Sequence, residues 1–178
     1  MQFKYVQDKG SEVISYKLWT DVTFVNFKER AYVSYAVDSM QMLDELESRG
    51  FVAVDTAIAD TVMRMNSLAG CKTMCTCSGH PGEYCYGYIW FEKVPESIAK
   101  QLDDSPYWNR DTSPKARNTW RLENIGKTVS VTWLKAMLSL AEMEGLPERH
   151  VFVPHVFVRD EDDKSDQVWI SLMPEEEA

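Results

Sequence analysis

The chain has 178 residues, 44% of them apolar, and a net charge of −9. That length suits one domain around one core, and no apolar run approaches the ~20 residues a membrane span needs. The opening MQFKYVQDKG carries charges and no apolar stretch, so it does not read as a signal peptide, and a cytoplasmic location is expected. In a reducing compartment, four clustered cysteines are more often thiols or metal ligands than disulfides.

The charge is uneven. Residues 129–178 hold 4 Lys and Arg against 11 Asp and Glu, a local −7. Such a surface repels phosphates and attracts basic partners, and it also keeps a protein soluble.

The first 37 residues read as β structure. Phe3–Val6, Glu12–Trp19, Val22–Phe27 and Ala31–Ala36 are rich in Val, Ile, Tyr, Phe and Trp, with polar breaks between them. An antiparallel meander is expected. Asp38 then caps a helix with Met40, Leu43 and Leu46 at helical spacing and Gly50 as its C′ residue. After the strand FVAVD, Asp55 or Thr56 caps a second helix whose stripe is Ile58, Val62 and Met65. Asp60 and Arg64 are expected to pair on its exposed face, and Gly70 to end it.

KTMCTC has a strand's length, SGHPGE a turn's composition, and Tyr84–Glu92 the pattern of the returning strand. Pro95 is placed at the first position of a short helix, PESIAKQL. Residues 103–128 have no clear period and read as a long loop. A third helix follows, capped by Thr128 or Ser130 and stopped by Gly145 and Pro147. Apolar residues on two of its faces mark it as central. Val151–Val158 and Gln167–Met173 form a closing hairpin around the acidic loop RDEDDKSD. Strands first and last with helices between predict one α+β domain over 1–178: an antiparallel or mixed sheet with about three packed helices.

All four cysteines lie in CKTMCTCSGHPGEYC, residues 71–85. Cys71, Cys75, His80 and Cys85 follow a zinc-knuckle spacing with one residue too many in the first interval, and three thiolates with one imidazole make a closed tetrahedral set. The same residues also fit a strand. Cys75 and Cys77 then share a face as small core residues, Cys71 and Cys85 are partly exposed, and no metal is needed. In that reading the turn presents Ser78, Gly79 and His80 at the edge of a sheet as a binding surface.

The pattern Asp55, Ile58, Val62, Asn66, Thr73 and Cys77-Ser78-Gly79 is a helix followed by a strand ending in T-C-S-G. It resembles the wyosine-type tRNA methyltransferases, which carry Ser-Cys-Ser-Gly-Arg after a similar helix and Asn. His80 stands here in place of that Arg. The pattern is also similar to small phage and mobile-element proteins with a Cys-Ser-Gly-His element followed by a Tyr-Ile-x-Phe strand, as in Cys77–His80 and Tyr88–Phe91. The first resemblance implies S-adenosylmethionine as cofactor and RNA as substrate. The second implies a non-enzymatic accessory protein in a bacterial host cell that binds a protein partner, such as an inhibitor of a CRISPR-type defence nuclease (an anti-CRISPR).

Residues 105–128 hold Arg110, Lys115, Arg117, Arg121 and Lys127 against Asp111 and Glu123, a local +3, with Tyr107, Trp108 and Trp120 among them. Cations neutralise phosphates and aromatic faces stack on unpaired bases, so this segment fits a nucleic acid groove. It equally fits core tryptophans with charges facing water. The leading expectation is a cytoplasmic binding protein that uses no cofactor. The alternatives are an S-adenosylmethionine-dependent RNA-modifying enzyme and a zinc-knuckle nucleic acid binder.

Overall fold

The structure, a computed structural model, describes residues 3–7, 22–33, 37, 39–79, 87–122, 136–137, 139–147 and 168–172. The fold is mixed α+β, and every described strand pair is antiparallel. No described helix is long and apolar enough to cross a membrane.

Strand β1 (Phe3–Gln7) pairs with β9 (Val168–Leu172), Tyr5 opposite Ile170. The expected first and last strands therefore meet each other. The meander strand Glu12–Trp19, the return strand Val151–Val158 and the acidic loop between 158 and 167 lie outside the described residues.

Strands β2 (Val22–Asn26), β3 (Ala31–Tyr32) and β4 (Val52–Asp55) form a sheet in the order β3-β2-β4. Helix α1 (Met40–Ser48) joins β3 to β4. Its N-cap is Ser39, whose Oγ accepts from the Met42 amide at 3.2 Å, while the expected cap Asp38 lies outside the described residues. Gly50 follows the helix at φ +86°, a conformation that favours glycine, as the C′ position requires.

Helix α2 (Thr56–Asn66) is the centre of the molecule's core. Nine of its eleven residues are buried, polar and apolar alike. This overturns two expectations. The Asp60–Arg64 pair, 3.8 Å apart, is buried rather than on an exposed face. The helix also stops at Asn66, with Ser67 as C-cap, four residues before Gly70. Arg64 stays charged in the interior by donating from Nη1 to the Ala141 carbonyl (2.9 Å) and from Nε to the Pro147 carbonyl (2.7 Å). It thereby caps the end of a helical stretch at residues 136, 137 and 139–141, the described part of the expected third helix.

A four-stranded sheet in the order β5-β6-β8-β7 completes the fold: β5 (Lys72–Cys77), β6 (Tyr88–Lys93), β7 (Trp108–Arg110) and β8 (Thr119–Leu122). Helix α3 (Glu96–Asp104) connects β6 to β7, with Pro95 as its N-cap rather than its first residue. The 103–128 segment read as a loop therefore contains two strands, and its hairpin pairs Trp108 with Leu122 and Arg110 with Trp120. One hydrophobic cluster joins α2, both multi-stranded sheets, α3 and the 136–143 stretch, with Val25, Ile58, Met63, Ile89, Ile98, Trp108, Trp120 and Met137 among its members.

Candidate functional site

The four-stranded sheet has two different faces. Ile89 and Phe91 on β6, Trp120 and Leu122 on β8, and Trp108 on β7 point into the core. The alternate positions point out. Register places Tyr88, Arg121 and Asn109 in one outward row, and Cys75, Trp90 and Thr119 in the next. Trp90 is 42% exposed and Met74 52% exposed, large apolar groups left in water on a paired strand and at its bulge.

The β7–β8 loop folds over this face. Ser113 donates its amide to Asp111 Oδ1 (2.8 Å), Ala116 donates to the Ser113 carbonyl (3.0 Å), and Asn118 turns the chain at φ +59°. The loop is then held on both sides, Asp111 N to Thr119 O (2.8 Å) and Phe91 N to Asn118 O (2.9 Å). Between the loop and the strands lies an open groove of about 280 Å³, lined by Cys75, Tyr88, Trp90, Lys115, Ala116, Thr119 and Arg121. Cys75 Sγ and the Tyr88 hydroxyl are 3.1 Å apart on its floor. Arg121 donates from Nε to Asp111 Oδ2 at 2.8 Å. The Ser113 amide and then Arg121 hold the Asp111 carboxyl below its ordinary range.

The expected site residues fall into three groups. Trp108 and Trp120 are core residues, 1% and 0% exposed, so they present no ring for stacking. Trp120 packs edge-on against Phe91 and donates its indole N–H to Asp103 Oδ1 at 2.9 Å. Arg110 lies 4.6 Å over the Trp120 ring and makes a two-pronged pair with Asp103, so both are parts of one packing network rather than of a groove. Tyr107 is half-buried against the core, and Arg117 is exposed on the loop. Of that segment's described cations, Lys115 and Arg121 line the groove.

Ser78 and Gly79 form the second group. Both are buried, so they do not present a surface. The Asp55 carboxylate accepts from the Ser78 amide (2.6 Å) and hydroxyl (3.0 Å). At the other end of the same pair of elements, Asn66 donates to Thr73 Oγ1 (2.9 Å) and accepts from the Thr73 amide (3.0 Å). Helix α2 and strand β5 run antiparallel and are clasped at both ends. The residues Asp55, Asn66, Thr73 and Ser78 that carry the family resemblance thus have a packing role. His80 lies outside the described residues.

The cysteines are the third group. Cys71 is in the core, where burial pushes its thiol up to about 11, and Cys77 is buried with its sulfur accepting from the Gly79 amide at 3.3 Å. Cys75 is exposed in the groove. The expected burial is therefore reversed at both Cys71 and Cys75. For Cys75 the cause is a bulge in β5; Cys71 precedes the strand and packs into the core cluster. Thr73 pairs with Phe91 and Cys75 with Trp90, so two steps on β5 answer one on β6 and the strand's faces exchange. Among the described residues no three His, Cys, Asp or Glu side chains converge as metal ligands; His80 and Cys85 of the expected zinc set lie outside them.

Tyr88 and Trp90 were not anticipated as site residues. The signal for them is the run Tyr88-Ile89-Trp90-Phe91, which is aromatic or apolar on both faces of a strand that has only one core to fill. Comparison with family models, with curated proteins and with solved structures finds no match. The likeness to methyltransferases and phage proteins rests on the residues between Asp55 and Phe91 alone.

Proposed function

We propose that this protein acts by binding a protein partner, and that the outer face of the four-stranded sheet is the contact surface. The carrying observation is Trp90, exposed at the middle of a central strand with Tyr88, Met74 and Arg121 around it. Trp, Tyr, Met and Arg are the residue types that supply most of the binding energy at protein interfaces. The groove wall is hydrogen-bonded into place before any partner arrives, which lowers the ordering cost of docking.

Charge favours a protein over a polynucleotide. Arg121 is engaged by Asp111 and Lys72 by Glu92, at 2.8 and 2.6 Å, so the face is nearly balanced. Strand binding draws its affinity from several cations that each neutralise a phosphate. At −9 the whole chain is drawn toward basic proteins. A nuclease with a basic nucleic acid channel is the partner class placed first, and inhibition of a CRISPR-type nuclease is the finer form of the same proposal.

The test is capture from a bacterial lysate followed by reconstitution with the purified partner. Trp90→Ala and Tyr88→Ala should each weaken the reconstituted complex by roughly 30-fold, the loss expected of a hot-spot side chain, with melting temperatures close to the parent's. Equal affinity for both variants and the parent removes this face from the interface. Binding of a ten-nucleotide single strand that is lost in Trp90→Ala would replace the protein partner by nucleic acid.

A further inference from the structure

We infer that the groove beside Trp90 is shaped for one anchor side chain, aromatic or apolar, with a carboxylate next to it, so that the partner segment entering the groove is locally acidic. This rests on the protein-partner reading above and names the chemistry that the partner brings.

The floor and wall are apolar and aromatic: Tyr88, Trp90, Cys75 and Ala116, with the methylene stem of Lys115. About 280 Å³ of open space holds a single large side chain rather than a run of them. A ring or branched chain laid against the Trp90 indole removes apolar surface from water on both sides.

The charged groups around that space have one sign. Lys115 and Arg121 line the groove, and none of its lining residues is acidic. Asp111 faces Arg121 from outside the lining and occupies its Nε; the two Nη nitrogens make no hydrogen bond among the described residues. Lys115 forms no ion pair among the described residues. A guanidinium edge and an ammonium beside an apolar slot complement a carboxylate, and the guanidinium can meet it with two parallel bonds. A cationic anchor would meet two like charges there. The net charge of −9 works at longer range and favours a basic partner surface. The local pair of cations would then fix which acidic loop of that partner enters and in what register.

The test uses the full chain and three probes: N-acetylphenylalanine with its carboxylate free, the same compound as its amide, and uridine monophosphate. Each is titrated while the Trp90 indole N–H is followed by NMR, the signal being assigned with Trp90→Phe. The free acid should bind roughly threefold more tightly than the amide, the scale of one exposed ion pair. Lys115→Glu should abolish or invert that preference between acid and amide. Lys115 is an exposed loop residue, so this variant keeps the fold. Equal affinity for acid and amide overturns the acidic-anchor inference and leaves the docking face standing, since the latter is judged by Trp90→Ala against the partner. Tighter binding of the nucleotide than of the free acid overturns it in favour of a nucleotide-bearing ligand. No perturbation of Trp90 by any probe overturns it as well.

Discussion

Asp55 occupies the N-cap position of α2, yet its carboxylate makes no bond to the helix's first turn. It reaches to Ser78 instead, at 2.6 and 3.0 Å, inside the protein. A buried amide left without its acceptor costs about 1–3 kcal/mol, so Asp55→Ala should lower the unfolding free energy by that amount, and Ser78→Ala, which keeps the amide bond, by about 1 kcal/mol. Urea denaturation measures both. Neither substitution should alter partner binding; if Ser78→Ala weakens the complex while stability holds, Ser78 is a contact after all. The cysteines give a second residue-scale test. With a thiol reagent on native protein and peptide mapping, Cys75 should be labelled well before Cys71 and Cys77, because only it is exposed among the three. Burial raises the Cys71 thiol from 9.0 to about 11. Its contribution to stability is therefore complete below pH 9 and disappears as pH rises toward 11. Early labelling of Cys71 would mean that β5 sits in another register.

At the scale of elements, what the sequence discloses depends on how much chain a period has to act on. Helix α2 shows Ile58, Val62 and Met65 over three turns, and the β5–β6 hairpin brackets an obvious turn. Both could be read. Strands β7 and β8 have three and four residues, too few for alternation to register, and the turn-forming run DTSPKARN between them dominates the segment. The bulge in β5 is equally hidden, since a single extra residue leaves the composition unchanged while exchanging the faces downstream. That is why Cys75 could be placed on a strand but not on the correct side of it, and why the groove was not foreseen although Tyr88-Ile89-Trp90-Phe91 was. The polarity of α2 hid its burial: Arg64 looks solvated until the carbonyls of Ala141 and Pro147, about eighty positions away, accept from its guanidinium, and Asp60 goes inside with it as its ion-pair partner. The groove wall carries its own prediction. Asp111 is held below its ordinary 3.8 by the Ser113 amide and then by Arg121. A depressed carboxyl stabilises above its unfolded value and loses that contribution as pH falls through the folded one. Below pH 3.8 the loop should loosen, seen as faster amide exchange at Lys115 and Ala116 while Ile89 and Trp120 in the sheet stay protected. An unchanged loop in acid would show that the backbone bonds alone hold the wall.

For the whole molecule, the aromatic groove and the acidic charge should control different halves of one binding event. Long-range attraction depends on net charge and acts on encounter, whereas desolvated aromatic contacts form late and act on escape. The chain carries −9, of which −7 falls in residues 129–178, and Asp160, Glu161, Asp162 and Asp163 supply four of those charges in one run. Neutralising these four with Asn and Gln should slow association with a basic partner several-fold at low salt and flatten its dependence on ionic strength, with dissociation unchanged. Trp90→Ala should do the reverse, leaving association almost as it was and speeding dissociation roughly 30-fold. The double variant should show both effects multiplied, because steering and packing share no contact. Stopped-flow association and dissociation traces at two salt concentrations separate the cases. If the neutralised protein associates at the parent's rate in low salt, the acidic run serves solubility and the partner is not selected by charge. If Trp90→Ala slows association instead, the tryptophan belongs to the encounter surface and the docked complex is held elsewhere.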